Sequence, residues 1–133
     1  MWSNKDLLQL IVSFQHGKKY YEVTSGDLAS KCGWLSFIKI RNSFLKFTRH
    51  AINLAARNGH LEVVTWLHQN RKEGCTTWAM DFAAANGHLE VLKWLYQNRK
   101  EGCTEDAMEF AKENGHFEIV KWLCQNIWLK NSI

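Results

Sequence analysis

Three histidines, His60, His88 and His116, recur at intervals of 28 residues, each directly after a glycine, Gly59, Gly87 and Gly115. Imidazoles in register could serve acid–base chemistry or metal ligation. Shared metal ligation requires the rings to converge. Packed helical units lie about 10 Å apart, whereas zinc–nitrogen bonds are near 2 Å, so equivalent histidines in successive units cannot share an ion. The column reads instead as structural, with Gly59, His60, Gly87, His88, Gly115 and His116 marking turns. Cys75 and Cys103 also share a register, and at about that spacing they exceed the roughly 7 Å between Cα atoms that a disulfide allows. Cys32 and Cys124 fall in other registers and no C-x-x-C pair occurs, so the four thiols read as small, half-buried side chains. Trp66, Trp94 and Trp122 form an aromatic column, with Ile40 in the same place further upstream; fixed helical spacing of large aromatics points to packing. No nucleophile–base spacing, Gly-rich phosphate loop or paired-carboxylate motif is visible. No catalytic residue, metal or cofactor is implied.

A second set of columns varies in chemistry rather than repeating it. These read Arg49/Thr77/Glu105, His50/Trp78/Asp106, Asn53/Asp81/Glu109 and Arg57/Ala85/Glu113. Together they grade from basic to acidic along the chain. Positions that accept unrelated side chains within one molecule are not core, so these residues are the candidate partner-binding surface, with Trp78 as its aromatic anchor.

The elements that position both sets follow from the repeat. Residues 86–104 reproduce 58–76 with three changes, Val64 to Leu92, Thr65 to Lys93 and His68 to Tyr96, and the run begins again at Asn114. Self-similarity at such a period marks a solenoid of stacked units. Each unit reads as helix, tight turn, helix and connector. In the unit over 77–104, Thr76 or Thr77 caps a first helix carrying Met80, Phe82, Ala83 and Ala84. Asn86 and Gly87 end it, since glycine accepts the left-handed conformation that closes a helix. A second helix follows, with Leu89, Leu92, Trp94, Leu95 and Tyr96 on its apolar side. The Arg71–Lys72 and Arg99–Lys100 pairs, each beside a glutamate, read as solvated turns. Trp128 and Leu129 are expected to fold over the last unit as a cap.

Residues 28–40 match 54–66 in pattern, offset by 26 at the glycine and returning to 28 by Ala51. This predicts a degenerate first unit over 27–48 whose connector is two residues shorter. Three clearer units follow over about 49–76, 77–104 and 105–126, with a C-terminal cap at 127–133. Residues 1–26 read as an N-terminal capping segment with an amphipathic helix over about 4–15 and a short extended stretch near 20–24. The whole is one domain of 133 residues without a single proline. Of the net charge of +4, the excess lies in 1–48, with seven Lys/Arg against three Asp/Glu; residues 49–133 balance ten against ten. An electrically neutral array argues against nucleic acid, whose binding rests on phosphate neutralisation. The longest apolar run, near 7–14, is too short to span a bilayer and lacks the flanks of a signal peptide. Reduced thiols inside a cell are the simplest setting for the cysteines.

The runs Ala55-Ala56-Arg57-Asn58-Gly59-His60-Leu61-Glu62-Val63-Val64 and Ala83-Ala84-Ala85-Asn86-Gly87-His88-Leu89-Glu90-Val91-Leu92 resemble the ankyrin repeat, whose central signature is Ala-Ala-x-x-Gly-His-Leu-Glu-Val-Val. The match is good over about 50–126 and poor over 28–49. Ankyrin repeats run at about 33 residues with a Thr-Pro-Leu-His start; here Trp78-Ala79-Met80-Asp81 stands in that place. The missing residues fall in the β-hairpin finger, as in the short-period variety abundant in protists and in large viruses that infect them. The resemblance implies an all-α, ankyrin-like solenoid whose turn histidines hydrogen-bond the inter-helix turn. It further implies a non-catalytic scaffold holding a protein partner on the concave first-helix face. Such a protein would be a monomer in the cytoplasm or nucleus, of a host cell if the chain is viral. Two alternatives stand beside this reading. Residues 6–14 faintly resemble the opening of an F-box, which would make the chain an adaptor for a ubiquitin ligase. Trp2 or Trp128 could instead support end-to-end self-association.

Overall fold

The computed structural model describes residues 23–130. The expectations for residues 1–22 alone, the helix over 4–15, the F-box-like segment and Trp2, therefore lie outside the described residues. Among the described residues eight α-helices form four antiparallel pairs: α1 (Gly26–Lys31) with α2 (Leu35–Arg41), α3 (His50–Arg57) with α4 (Leu61–Asn70), α5 (Trp78–Ala85) with α6 (Leu89–Asn98), and α7 (Asp106–Glu113) with α8 (Phe117–Leu123). A single 3-10 turn at Asn42–Phe44 extends α2, and a π-helical turn at Cys124–Trp128 extends α8. After the α2 extension, residues 45–49 connect to the next pair, where 71–77 do so later. The two-residue shortening lies in that connector.

Each pair is closed by the same local chemistry. In the α3–α4 turn Gly59 adopts φ +75°, open to glycine without a Cβ penalty. The Gly59 N–H then donates to the Ala56 carbonyl at 3.2 Å and the His60 N–H to the Ala55 carbonyl at 2.9 Å, so the last carbonyls of α3 are satisfied. Asn58 adds a side-chain N–H to the Leu54 carbonyl at 2.9 Å. The second helix begins at once, without a side-chain cap, and Glu62 in its first turn faces the positive end of the helix dipole. The α5–α6 and α7–α8 turns repeat this pattern.

Stacking follows from the size of the side chains on each helix. First helices bury Ala51, Ala55, Ala79, Ala83, Ala107 and Ala111, and these short side chains let α1, α3, α5 and α7 pack closely along the array. Second helices bury Val63, Leu67, Val91, Leu95, Ile119 and Leu123 toward the first layer and touch one another far less. A stack that is tighter on one side bends toward that side, which puts the first helices on the inner face. Trp66, Trp94 and Trp122 sit half-buried against the core. The His68 ring meets Trp94 edge-on at 5.1 Å, and Tyr96 meets Trp122 likewise at 5.2 Å. Tyr96 is thus a surface link between units, with its hydroxyl donating to the Asn126 carbonyl at 3.0 Å, rather than a member of the apolar side.

Two further expectations change. Arg71 and Arg99 are not solvated turn residues. Each pairs with a glutamate two residues on, Glu73 or Glu101, and reaches back to the preceding unit. Arg71 donates to the Asn42 side chain at 3.2 Å and lies over the Phe47 ring at 4.5 Å; Arg99 meets the His68 ring nitrogen at 3.2 Å. The side-chain hydrogen bond to arginine holds both carboxyls below their usual range. At the C-terminal end Ile127 and Trp128 pack on the core, but Leu129 is 61% exposed and does not cap. Near the other end, the Lys46 N–H donates to the Thr24 carbonyl at 2.8 Å, forming an isolated parallel bridge between Ser25 and Lys46. Among the described residues this is an isolated contact and no strand forms.

Candidate functional site

The residues of the four variable columns separate into two groups. Arg49, His50, Arg57, Trp78, Glu105, Asp106, Glu109 and Glu113 are exposed, with Thr77 half-buried. Asn53 and Asp81, by contrast, are 2% and 3% exposed. They are corrections to the surface read from the sequence, and their burial has a definite purpose. Thr76 donates its N–H to Asn53 Oδ1 at 3.1 Å, while Asn53 Nδ2 donates to Thr76 Oγ1 at 2.9 Å. One unit on, Thr104 donates its N–H to Asp81 Oδ1 at 2.8 Å and its hydroxyl to Oδ2 at 2.9 Å. One unit back, Thr48 donates to Asp27 through N–H at 2.8 Å and through its hydroxyl at 2.5 Å. The column is a clasp between successive units.

The clasp also positions the exposed residues. The three threonine hydroxyl oxygens accept the N–H groups of His50, Trp78 and Asp106 at 3.1, 3.2 and 3.3 Å. These are the first residues of α3, α5 and α7, so each clasped threonine satisfies an N–H that a helix start leaves open. Threonine does this from two residues before the helix; Thr77, the residue immediately before α5, makes no side-chain cap. A side chain in a first helix therefore fixes where the aromatic or acidic residue of the next helix projects.

On the exposed surface Trp78 is central. It is 53% exposed, with its ring 6.4 Å from His50 and 5.7 Å from Phe82. The Arg57 guanidinium lies over the other partner, Phe82, at 5.2 Å, an arrangement that favours the charge over the ring face. Beside this patch runs an apolar column that the sequence reading missed. Leu28, Leu54, Phe82 and Phe110 occupy equivalent places on α1, α3, α5 and α7, and all stay partly accessible. Its signal was present: apolar character in every unit, one helical turn after the variable column. Lys31 on α1 extends the Arg57/Ala85/Glu113 column at its basic end and is exposed.

The turn histidines work between units. His60 Nε2 lies 3.1 Å from the Lys31 carbonyl of the preceding pair. A Cβ added at Gly33, Gly59 or Gly87 would meet the ring of His60, His88 or His116 at 2.7, 2.6 or 2.8 Å. Each glycine thus makes room for the histidine of the following unit as well as turning its own chain. The cysteines are buried or half-buried, and desolvation raises the Cys32, Cys75 and Cys103 thiols, the last to about 11. A thiol that stays protonated at neutral pH is a poor nucleophile. Among the described residues no three His, Cys, Asp or Glu side chains converge to hold a metal ion, and no helix is long and apolar enough to cross a membrane.

The helix pairs, the glycine turns and the inter-unit clasp define an all-α solenoid of ankyrin type. A family model described as ankyrin repeats (three copies) matches residues 4–106 and 52–131, and the chain belongs to the ankyrin repeat family. No curated protein matches it. Ankyrin repeats generally mediate protein–protein interaction, and proteins built from them are typically non-catalytic scaffolds.

Proposed function

We propose that this chain is a non-catalytic scaffold inside the cell, in cytoplasm or nucleus, that holds a protein partner on the surface of its first helices. The observation that carries the reading is Trp78. Burying a tryptophan is strongly favourable, yet this one stands exposed beside Phe82 on a helix whose own packing uses alanines. Exposed aromatics flanked by arginine have the composition of interface anchors. The exposed candidates Arg49, His50, Arg57, Glu105, Asp106, Glu109 and Glu113 lie on or at the start of the neighbouring first helices, and the half-buried Thr77 directly precedes Trp78. Asn53 and Asp81 act at one remove, by holding the helix starts.

Affinity capture from native extract tests this, with wild type beside a His50→Ala, Trp78→Ala, Asp106→Ala triple variant checked for intact folding. A partner captured by wild type and lost with the variant supports the first-helix face. A partner retained by the variant moves the site to the second helices or to residues 1–48. Absence of any partner in both samples defeats the scaffold reading. Light scattering over a concentration series checks the monomer, whose mass should stay constant.

A further inference from the structure

Taking the first-helix face as the binding surface, we propose that its ligand is an extended polypeptide segment with acidic residues at one end, basic residues at the other and a large apolar residue between them, nearer the basic end. Three columns cross the face in parallel. One runs Lys31, Arg57, Ala85, Glu113; the next Arg49, Thr77, Glu105; the third His50, Trp78, Asp106. All three change in the same direction, and their exposed charges are positive on α1 and α3 and negative on α7. Between the poles, α5 contributes no exposed charge at all: its accessible residues are Trp78, Phe82 and Ala85, and its one carboxyl, Asp81, is buried in the clasp. The face is therefore cationic, apolar and anionic in order, not a uniform charged surface with drift.

Geometry sets the kind of ligand. Four first helices at about 10 Å spacing place the two poles roughly 30 Å apart. An extended chain rises about 3.3 Å per residue, so about nine residues reach from Lys31 to Glu113, and Trp78, on the third of the four helices, lies two thirds of the way along, under about the sixth residue. Charges separated by more than a Debye length of about 8 Å act independently at physiological salt. The two poles consequently read the two ends of one segment separately and do not cancel. Rim charges of this type contribute more to selectivity and association rate than to affinity, which leaves the affinity with the Trp78 and Phe82 patch. Two other charges lie near the face: Asp27 is held by Thr48, and Lys112 shares a groove of about 520 Å³ with Glu105, Glu109 and Trp128, where the carboxylates outnumber it.

A displayed library of random linear peptides about 12 residues long (slightly longer than the nine-residue span derived from the extended rise) tests the proposal on the full chain. Enriched peptides are resynthesised and titrated by fluorescence polarisation. The expected result is enrichment of sequences with Asp/Glu on one side and Lys/Arg on the other side of an aromatic or large aliphatic residue. Trp78→Ala should weaken these about 30-fold or more, the effect of losing an interface hot spot. Glu105→Lys with Glu113→Lys, verified by thermal melting, should weaken them about tenfold and favour versions whose basic end is replaced by acidic residues. Peptides that need Trp78 but carry uniform charge, or ignore the charge reversal, overturn the ligand class and leave the face standing. No enrichment, or peptides indifferent to Trp78, overturns the face itself.

Discussion

Asn53 and Asp81 hold the same slot with different charge, and this pair tests how the clasp works. Both receive the N–H of the following threonine, but Asn53 completes the second bond as donor and Asp81 as acceptor. Burial raises the Asp81 carboxyl above its usual value, with the Asp106 charge adding to it, despite two lowering bonds from Thr104. The folded protein then holds the Asp81 proton more tightly than the unfolded chain. Its contribution is largest below about pH 4, the unfolded carboxylate range, and is lost as pH rises through the folded value. Asp81→Asn removes that loss while keeping two bonds to Thr104, as Asn53 does with Thr76. Denaturant melts from pH 3 to 7 should therefore show the variant gaining on wild type as pH rises. A constant or shrinking difference would contradict the buried-carboxylate account. Glu73 and Glu101 titrate in the opposite sense, but they are common to both proteins and cancel. Asp81→Ala leaves the Thr104 N–H without its acceptor and should cost about 1–3 kcal/mol at neutral pH.

At the scale of the element, the glycine turns combine two requirements that can be separated. Gly87 and Gly115 both adopt positive φ, at 81° and 76°, so alanine at either position strains the backbone. That strain is roughly 1 kcal/mol or more for a non-glycine residue held there. Only at Gly87 does the added Cβ also strike the histidine of the next unit; at Gly115 the space is open. Gly87→Ala should accordingly lower stability by at least about 1 kcal/mol more than Gly115→Ala, as a core insertion does. Equal losses in thermal melts would mean that the histidine ring moves aside freely. Elsewhere on the helices, Leu92 is fully buried while Trp78 is exposed. Leu92→Ala should cost about 2–5 kcal/mol. Trp78→Ala should stay within about 0.5 kcal/mol of wild type, which is what makes it usable as a binding probe.

For the whole molecule, each unit is stabilised by its neighbours, as in any one-dimensional array. The α5–α6 pair has a helix pair on both sides, clasped through Asn53–Thr76 before it and Asp81–Thr104 after it. The α7–α8 pair is clasped on one side among the described residues, and Glu109 stands exposed in the slot that Asp81 fills. Hydrogen exchange should therefore be slower for the amides of α5 and α6 than for those of α7 and α8. Uniform protection across the array would mean that the units unfold only together.

How far each scale was legible depends on how far its determinants repeat. The 28-residue period, the glycine–histidine turns, the alanine-lined first helices and the ankyrin class were all readable from the sequence, because local backbone conformation and side-chain size act at every unit and leave a column in the text. What the columns could not reveal was which variable position faces outward. Asn53 and Asp81 looked as free to vary as Trp78, but amide and carboxylate share the planar geometry that the threonine clasp needs, so both keep two bonds to the threonine even though the direction of one reverses. Arg71 and Arg99 looked solvated because the groups they touch, Asn42, Phe47 and His68, lie in the preceding unit. Sequence alone determined the repeating unit, since its folding rules are local. The tertiary structure decided which side chains join one unit to the next and which remain for a partner, since that depends on contacts between residues 21 to 31 positions apart.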